Sequence, residues 1–199
     1  AVDSAGNAYI TGLLFQGTGT FGTGEPNETS LTDVNGAANE MFIAKYDGSG
    51  SLMWARQSAD IPGYLAYGLA IKVDAAGNPH LTMLGNTILG LGEPTETAIS
   101  GSIVAKYSTT GQFLWATSIS QQNSEPRGVA VDIAGNSFVT GYIAGALFTA
   151  KYDADGALLW LKQPVHGDPQ TWGGESGTGV AIDGLGNVCV AGGFAGTTT

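Results

Sequence analysis

Gly128-Val129-Ala130-Val131-Asp132-Ile133-Ala134-Gly135-Asn136-Ser137-Phe138-Val139-Thr140-Gly141 is the stretch on which the fold turns. A short apolar run with β-branched residues leads into Asp132, and a second strand-like run leads away from Asn136. Between them, the Asp carboxylate accepts hydrogen bonds from turn amides, while Gly and Asn tolerate positive φ. The Asp-x-x-Gly-Asn core recurs at Asp3 to Asn7, Asp74 to Asn78 and Asp183 to Asn187, with offsets of 71, 58 and 51 residues along the four copies. Four occurrences of one signature mark an internal repeat, which decides the architecture before any single element does.

A second signature alternates with the first. Lys45-Tyr46 is followed by Gly50 and Trp54, Lys106-Tyr107 by Gly111 and Trp115, and Lys151-Tyr152 by Gly156 and Trp160; Lys and Trp are nine residues apart each time. Each copy reads as a strand, a turn and a strand. Two hairpins per repeat give four antiparallel strands, A to D. On strand C, Phe42, Ala44 and Tyr46 lie on one face and Ile43 and Lys45 on the other. Ile103, Ala105 and Tyr107 against Val104, and Phe148, Ala150 and Tyr152 against Thr149, repeat the pattern. Apolar residues on both faces predict strands buried on both sides, as in a propeller blade rather than one sheet of a sandwich. Strand A of the second repeat, Gly68 to Val73, reads as two residues longer than its counterparts, an even insertion that keeps side chains on their faces.

Gly-x-Ala-Val-Asp-x-x-Gly-Asn-x-x-Val-Thr-Gly from Gly128, followed by Phe-x-Ala-Lys-Tyr-Asp-x-x-Gly-x-Leu-x-Trp from Phe148, resembles the bacterial seven-bladed β-propeller (SBBP) repeat. Met83 departs from it, where the other copies have Gly12, Gly141 and Gly192. The predicted fold is all-β: tandem four-stranded antiparallel blades over 1–199, with repeats starting near 1, 68, 128 and 179 and no separate second domain. That makes strands B, C and D of one blade, two whole blades, and A and B of a fourth. About three and a half blades predict an open fragment of a larger β-propeller, with the remaining blades of that propeller as partners. The resemblance implies a secreted or cell-envelope bacterial protein in which the blades are a non-enzymatic scaffold or interaction module. It supplies no catalytic residues. The alternative is a ligand-binding part, for carbohydrate or metal, of a larger enzyme whose catalytic residues lie outside this segment. The chain opens at Ala1-Val2-Asp3 inside a repeat with no signal peptide in the segment, so that start carries no evidence for the cytoplasm.

Composition agrees. Glycine numbers 32 and charged residues make up 12%, against a usual quarter, which suits short strands joined by turns. With 17 Asp and Glu against 7 Lys and Arg, the net charge is −10. That charge repels nucleic-acid phosphates and anionic lipid. No apolar run has the length for membrane insertion. A single cysteine, Cys189, forms no internal disulfide and reads as a small buried hydrophobe on strand B, in the slot held by Tyr9, His80 and Phe138.

Antiparallel connectivity places the A–B and C–D turns on one rim and the B–C and D–A connections on the other. The first rim is nearly constant, so Asp3, Asn7, Asp74, Asn78, Asp132, Asn136, Asp183 and Asn187 read as structural. Lys45, Trp54, Lys106, Trp115, Lys151 and Trp160 read likewise, the lysine heads reaching the rim or the A–B turn Asp. The second rim varies: Gly12 to Lys45 spans 33 residues, Met83 to Lys106 23, and Gly141 to Lys151 10. Variable loops on a rigid scaffold are where binding specificity resides. Two B–C connections share Gly-Glu-Pro-x-Glu-Thr, from Gly24 and Gly92. Glu25 and Glu28, or Glu93 and Glu96, are the candidate Ca²⁺ ligands; the other reading is a turn-fixed surface loop, favoured because the third repeat lacks it and no EF-hand spacing appears. The expectation is therefore no cofactor, with Ca²⁺ as the alternative. The longest D–A connection holds His166, Asp168, Trp172 and Glu175, a candidate ligand site in which Trp172 stacks a sugar ring; as a loop anchor it would have no ligand.

Overall fold

The computed structural model describes the chain except for residues 34–38, 62–63, 122, 165–174 and 194–199. The described residues contain strands and turns and no helix. The first sheet holds β1 (Ala8–Phe15), β4 (Asn39–Tyr46) and β5 (Leu52–Gln57), with a small hairpin of β2 (Thr18–Phe21) and β3 (Thr29–Thr32) between β1 and β4. The second holds β7 (Ala66–Val73), β8 (Pro79–Leu89), β9 (Thr97–Tyr107) and β10 (Phe113–Ser120), plus a two-residue strand β6 (Ala59–Asp60) on β8. The third runs β11 (Ser124–Val131), β12 (Ser137–Ile143), β13 (Ala146–Tyr152) and β14 (Leu158–Lys162), and the fourth pairs β15 (Ser176–Ile182) with β16 (Val188–Gly193). These are B-C-D, A-B-C-D, A-B-C-D and A-B, all antiparallel. Strand A of the first sheet is reduced to a bridge between Val2 and Ala8. Among the described residues no sheet closes on itself: β7 packs on β1 and β4, β11 on β7, β8 and β9, and β15 on β11, β12 and β13. The protein is an open succession of propeller blades.

Strand A corrects one reading. β7, β11 and β15 have nearly equal lengths, so the second repeat carries no insertion. Each A strand instead has a bulge at the same place, at Leu69, Arg127 and Thr178. The bulge puts one unpaired residue between two faces and bends the strand. Pro126 and the Gly-Thr-Gly of residues 177–179 hide the strand there, because they carry no apolar alternation.

Met83 is also accounted for. In the third blade, a Cβ on Gly141 would lie 2.0 Å from the Glu125 carbonyl oxygen, so strand A passes too close for a side chain. In the second blade that close approach has moved two residues along, to Gly85, whose added Cβ would meet the Leu65 carbonyl oxygen at 2.1 Å. A two-residue shift restores facing, and Met83 points into the core, fully buried.

Strand C is buried on both faces in all three copies, through Ile43 and Ala44, Val104 and Ala105, and Thr149 and Ala150. The core lies between blades. Met41, Ile43 and Trp54 of the first sheet pack against Leu81, Ile103, Ala105 and Tyr107 of the second. Val104 and Trp115 of the second meet Phe148, Ala150 and Tyr152 of the third. The first two inter-blade seams are each closed by a tryptophan. Trp54 Nε1 donates to the Thr109 carbonyl and Trp115 Nε1 to the Ala154 carbonyl, both at 3.0 Å and both in the C–D turn of the next blade. The turn glycine lies flat on the same ring: an added Cβ would be 2.8 Å from Trp54 at Gly111 and 2.6 Å from Trp115 at Gly156. This explains the Lys-Tyr…Gly…Trp signature, since the Gly of one copy seats the Trp of the copy before it. Gly50 has the same positive φ as Gly156, 90° against 88°, but no neighbour within reach. Gly156→Ala is therefore expected to lose about 1–3 kcal/mol more than Gly50→Ala, the overpacking cost beyond a shared backbone strain. Parallel urea titrations of the two variants measure the difference; equal losses would rule out the seat.

Candidate functional site

The first rim is a saturated hydrogen-bond network. In every Asp-x-x-Gly-Asn turn, Asp Oδ1 accepts the amides two and four residues on, at 2.8–3.0 Å, and Oδ2 accepts the Asn side-chain amide. Asp47 and Asp153 hold the C–D turns in the same way. The repeated lysines reach these carboxylates as expected. Lys45 Nζ lies 3.8 Å from Asp3, Lys106 Nζ 3.3 Å from Asp74 and Lys151 Nζ 3.5 Å from Asp132, each pair within one blade. Asp183 has no lysine partner among the described residues.

The slot after each turn links the blades. The one hydroxyl proton of Tyr9 is shared between Asp3 at 3.1 Å and the Gly77 carbonyl of the next blade at 2.9 Å. In the second blade, His80 replaces it: Nε2 lies 3.4 Å from Asp74 Oδ2 and Nδ1 2.7 Å from Ser137 Oγ of the third blade. A carboxylate only accepts, so Nε2 carries the proton and the Ser137 hydroxyl donates to Nδ1. Burial pushes the imidazole down to about 4, with the Lys106 charge adding to this and Asp74 opposing it. Burial alone would raise the Asp74 carboxyl, but hydrogen bonds from Asn78, His80 and Lys106 hold it at about 2. Serine, imidazole and carboxylate stand in a row as in a hydrolase, yet Ser137 and His80 are wholly buried. The row is a clamp between blades. The shared strand B slot locates His80 but not Ser137, which lies 57 residues away.

The acidic loops sit elsewhere than their connectivity implies. They belong to B–C connections, but their tips are tied to the first residue of strand D, beside the C–D turn on the opposite rim. Glu25 Oε2 accepts the Leu52 amide at 2.5 Å and Glu93 Oε2 the Phe113 amide at 3.0 Å. Asn27 and Thr95 donate to the carbonyls of the same two residues. Glu28 and Glu96 accept the amides of Gly24 and Gly92, closing the loop. The extended hairpin thus folds back along the blade, hinged in the second sheet at Gly85 and Gly101. Each loop satisfies both backbone groups of Leu52 or Phe113 on the blade's edge strand, a need that backbone polar groups have there. The third blade has no such edge clasp and turns from β12 to β13 through Ala144 and Gly145, both at positive φ. Among the described residues, no three His, Cys, Asp or Glu side chains converge.

His166, Asp168 and Trp172 lie outside the described residues. Glu175 is described and buried. Cys189 is exposed, which corrects its reading as a buried hydrophobe. The equivalent Tyr9, His80 and Phe138 are covered by a following blade, and among the described residues nothing packs on that face of β16. Trp160 stands in the third copy of the tryptophan register, and among the described residues its Nε1 meets no acceptor.

Residues 115–149 match the family model of the β-propeller repeat SBBP, a span that opens on Trp115 and ends in strand C of the third blade. That segment is similar to one SBBP repeat. SBBP repeats build structural or interaction modules and are typically non-catalytic. A crystal structure of a protein of unknown function from Bacteroides caccae is similar to this chain at 15% identity with a TM-score of 0.46, over 91% of this chain and 65% of that one. No curated protein matches.

Proposed function

We propose that the chain is a non-enzymatic interaction scaffold of a secreted or cell-envelope bacterial protein, in which the first rim holds the blades together and the second rim recognises a partner. The observation that carries this reading is the contrast between the rims. On the first, the turn carboxylates, the repeated lysines, Trp54 and Trp115 are committed to their own turns, their own blade or the next one. The second is lined by D–A and B–C segments that differ from blade to blade and expose Tyr64, Leu65 and Arg127. Further blades are proposed to continue the succession, with Trp160 donating to a C–D turn as Trp54 and Trp115 do.

The test is binding of the chain to arrays of peptides and oligosaccharides. Substitutions Tyr64→Ala, Arg127→Ala and Tyr142→Ala sample the second rim, and Ile133→Asp and Leu185→Asp the first. A retained ligand should be lost with at least one of the former and none of the latter. A ligand mapping to the first rim, or no ligand for any array, would overturn the reading.

A further inference from the structure

The second rim has a cleft where the extended hairpin of the second blade bends. One part, of about 410 Å³, is bounded by Tyr64, Asn86, Ile99, Ser100, Ser118 and Gln121, among others. A second part, of about 240 Å³, continues from the same Tyr64, Asn86 and Gln121. The larger part falls in the range of small-molecule sites. It arises from topology: the D–A connection between the first two blades brings Tyr64, the kinked hairpin brings Asn86 and Ser100, and strand D with its exit brings Ser118 and Gln121. Residues far apart in the chain therefore converge on one surface.

Three features of the lining define what it takes. First, among the described residues neither part has a carboxylate, ammonium, guanidinium or imidazole in its lining. Phosphate, sulfate or a metal ion would find no counter-charge there. Second, the side-chain amides of Asn86 and Gln121 make no hydrogen bond among the described residues, so each offers two donors and an acceptor. The Ser118 hydroxyl donates to the Ser100 carbonyl at 3.0 Å and keeps its acceptor sites. A purely apolar ligand would leave these groups unpaired, at a cost. Third, Tyr64 is 52% exposed at the shared wall of both parts, a ring with an apolar face and a polar tip. A ligand bearing neutral hydroxyls on one side and C–H groups on another meets all three demands.

We infer that this cleft, at the bent hairpin of the second blade on the second rim, is a subsite for a neutral saccharide unit, with Tyr64 stacking on the sugar's C–H face and Asn86 and Gln121 bonding its hydroxyls. The inference rests on the second rim being the recognition surface, and it names the ligand class for one place on it. The ring, rather than the phenol hydroxyl, supplies the stacking.

The test is an array of neutral and acidic oligosaccharides probed with the whole chain, followed by calorimetric titration of the tightest neutral glycan. Tyr64→Ala is expected to weaken binding about ten-fold, the equivalent of a lost aromatic contact. Tyr64→Phe should stay within about three-fold, since the ring is kept. The double variant Asn86→Ala/Gln121→Ala should abolish detectable binding, and unchanged circular dichroism and urea midpoints show that each variant is folded. Preference for acidic glycans, neutral binding indifferent to Tyr64→Ala, or no neutral glycan held by the folded chain would overturn the inference. A peptide captured on this cleft instead would also overturn it while leaving the recognition rim standing. Loss of binding only with Arg127→Ala or Tyr142→Ala would place the ligand elsewhere on that rim.

Discussion

Asp74→Ala should destabilise the chain by about 3–5 kcal/mol, the cost of leaving a buried charge without its partner. Asp74 and Lys106 are 6% and 9% exposed, and the same carboxylate faces His80. Its loss strands the ammonium in the seam between blades as well as breaking the turn. Asp183→Ala removes the same turn bonds at an exposed site with no lysine, so its effect should be far smaller. Urea unfolding of both variants separates the turn from the ion pair. Adding Lys106→Met to Asp74→Ala should recover part of the loss, because the double variant no longer buries an unpaired charge. Similar losses for Asp74→Ala and Asp183→Ala would mean that the turn bonds alone carry the stability.

Acid should weaken the fold in two steps. The unfolded chain protonates His80 near the ordinary 6.5, the folded chain only near 4. Stability from the neutral, buried imidazole is thus complete above pH 6.5. It declines as the pH falls towards 4 and is gone below, a loss of about 3 kcal/mol at one pKa unit per 1.4 kcal/mol. Asp74, lowered from 3.8 to about 2, adds a second loss as the pH falls through that interval. His80→Tyr should remove the first step and leave the second. The first blade provides the precedent, since Tyr9 in the equivalent slot reaches Asp3 and the next blade's Gly77 carbonyl. The readout is the slope of unfolding free energy against pH between 4 and 6.5, not absolute stability. A variant that kept the full slope would exclude His80 as its source.

Much of this was legible because the repeat presents its own controls. The four turn aspartates could be assigned to backbone amides from Asp-x-x-Gly-Asn alone, since the acceptor, the positive-φ residue and the amide lie within five residues. The three lysines could be placed on the same rim by counting strands. The bulges at Leu69, Arg127 and Thr178 were hidden, because a bulge breaks the alternation by which a strand is recognised. Cys189 was read from its register as buried, but burial depends on what covers the face and not on the register itself. The acidic loops showed their order and repetition but not their direction, which is set by their tips bonding Leu52 and Phe113 at the start of strand D.

The sequence by itself determined the strand order, the antiparallel hairpins, the buried faces of strand C and the structural character of the first rim. These follow from contacts within about a dozen residues, where spacing is nearly geometry. Only the tertiary structure decided the Trp–Gly seats, the Asp74–His80–Ser137 clamp, the loop tips on strand D and the neutral cleft around Tyr64. Each joins groups from different blades or from strands separated by long connections. Their meeting is set by how one twisted sheet stacks on the next, and no local pattern records which residue will stand opposite.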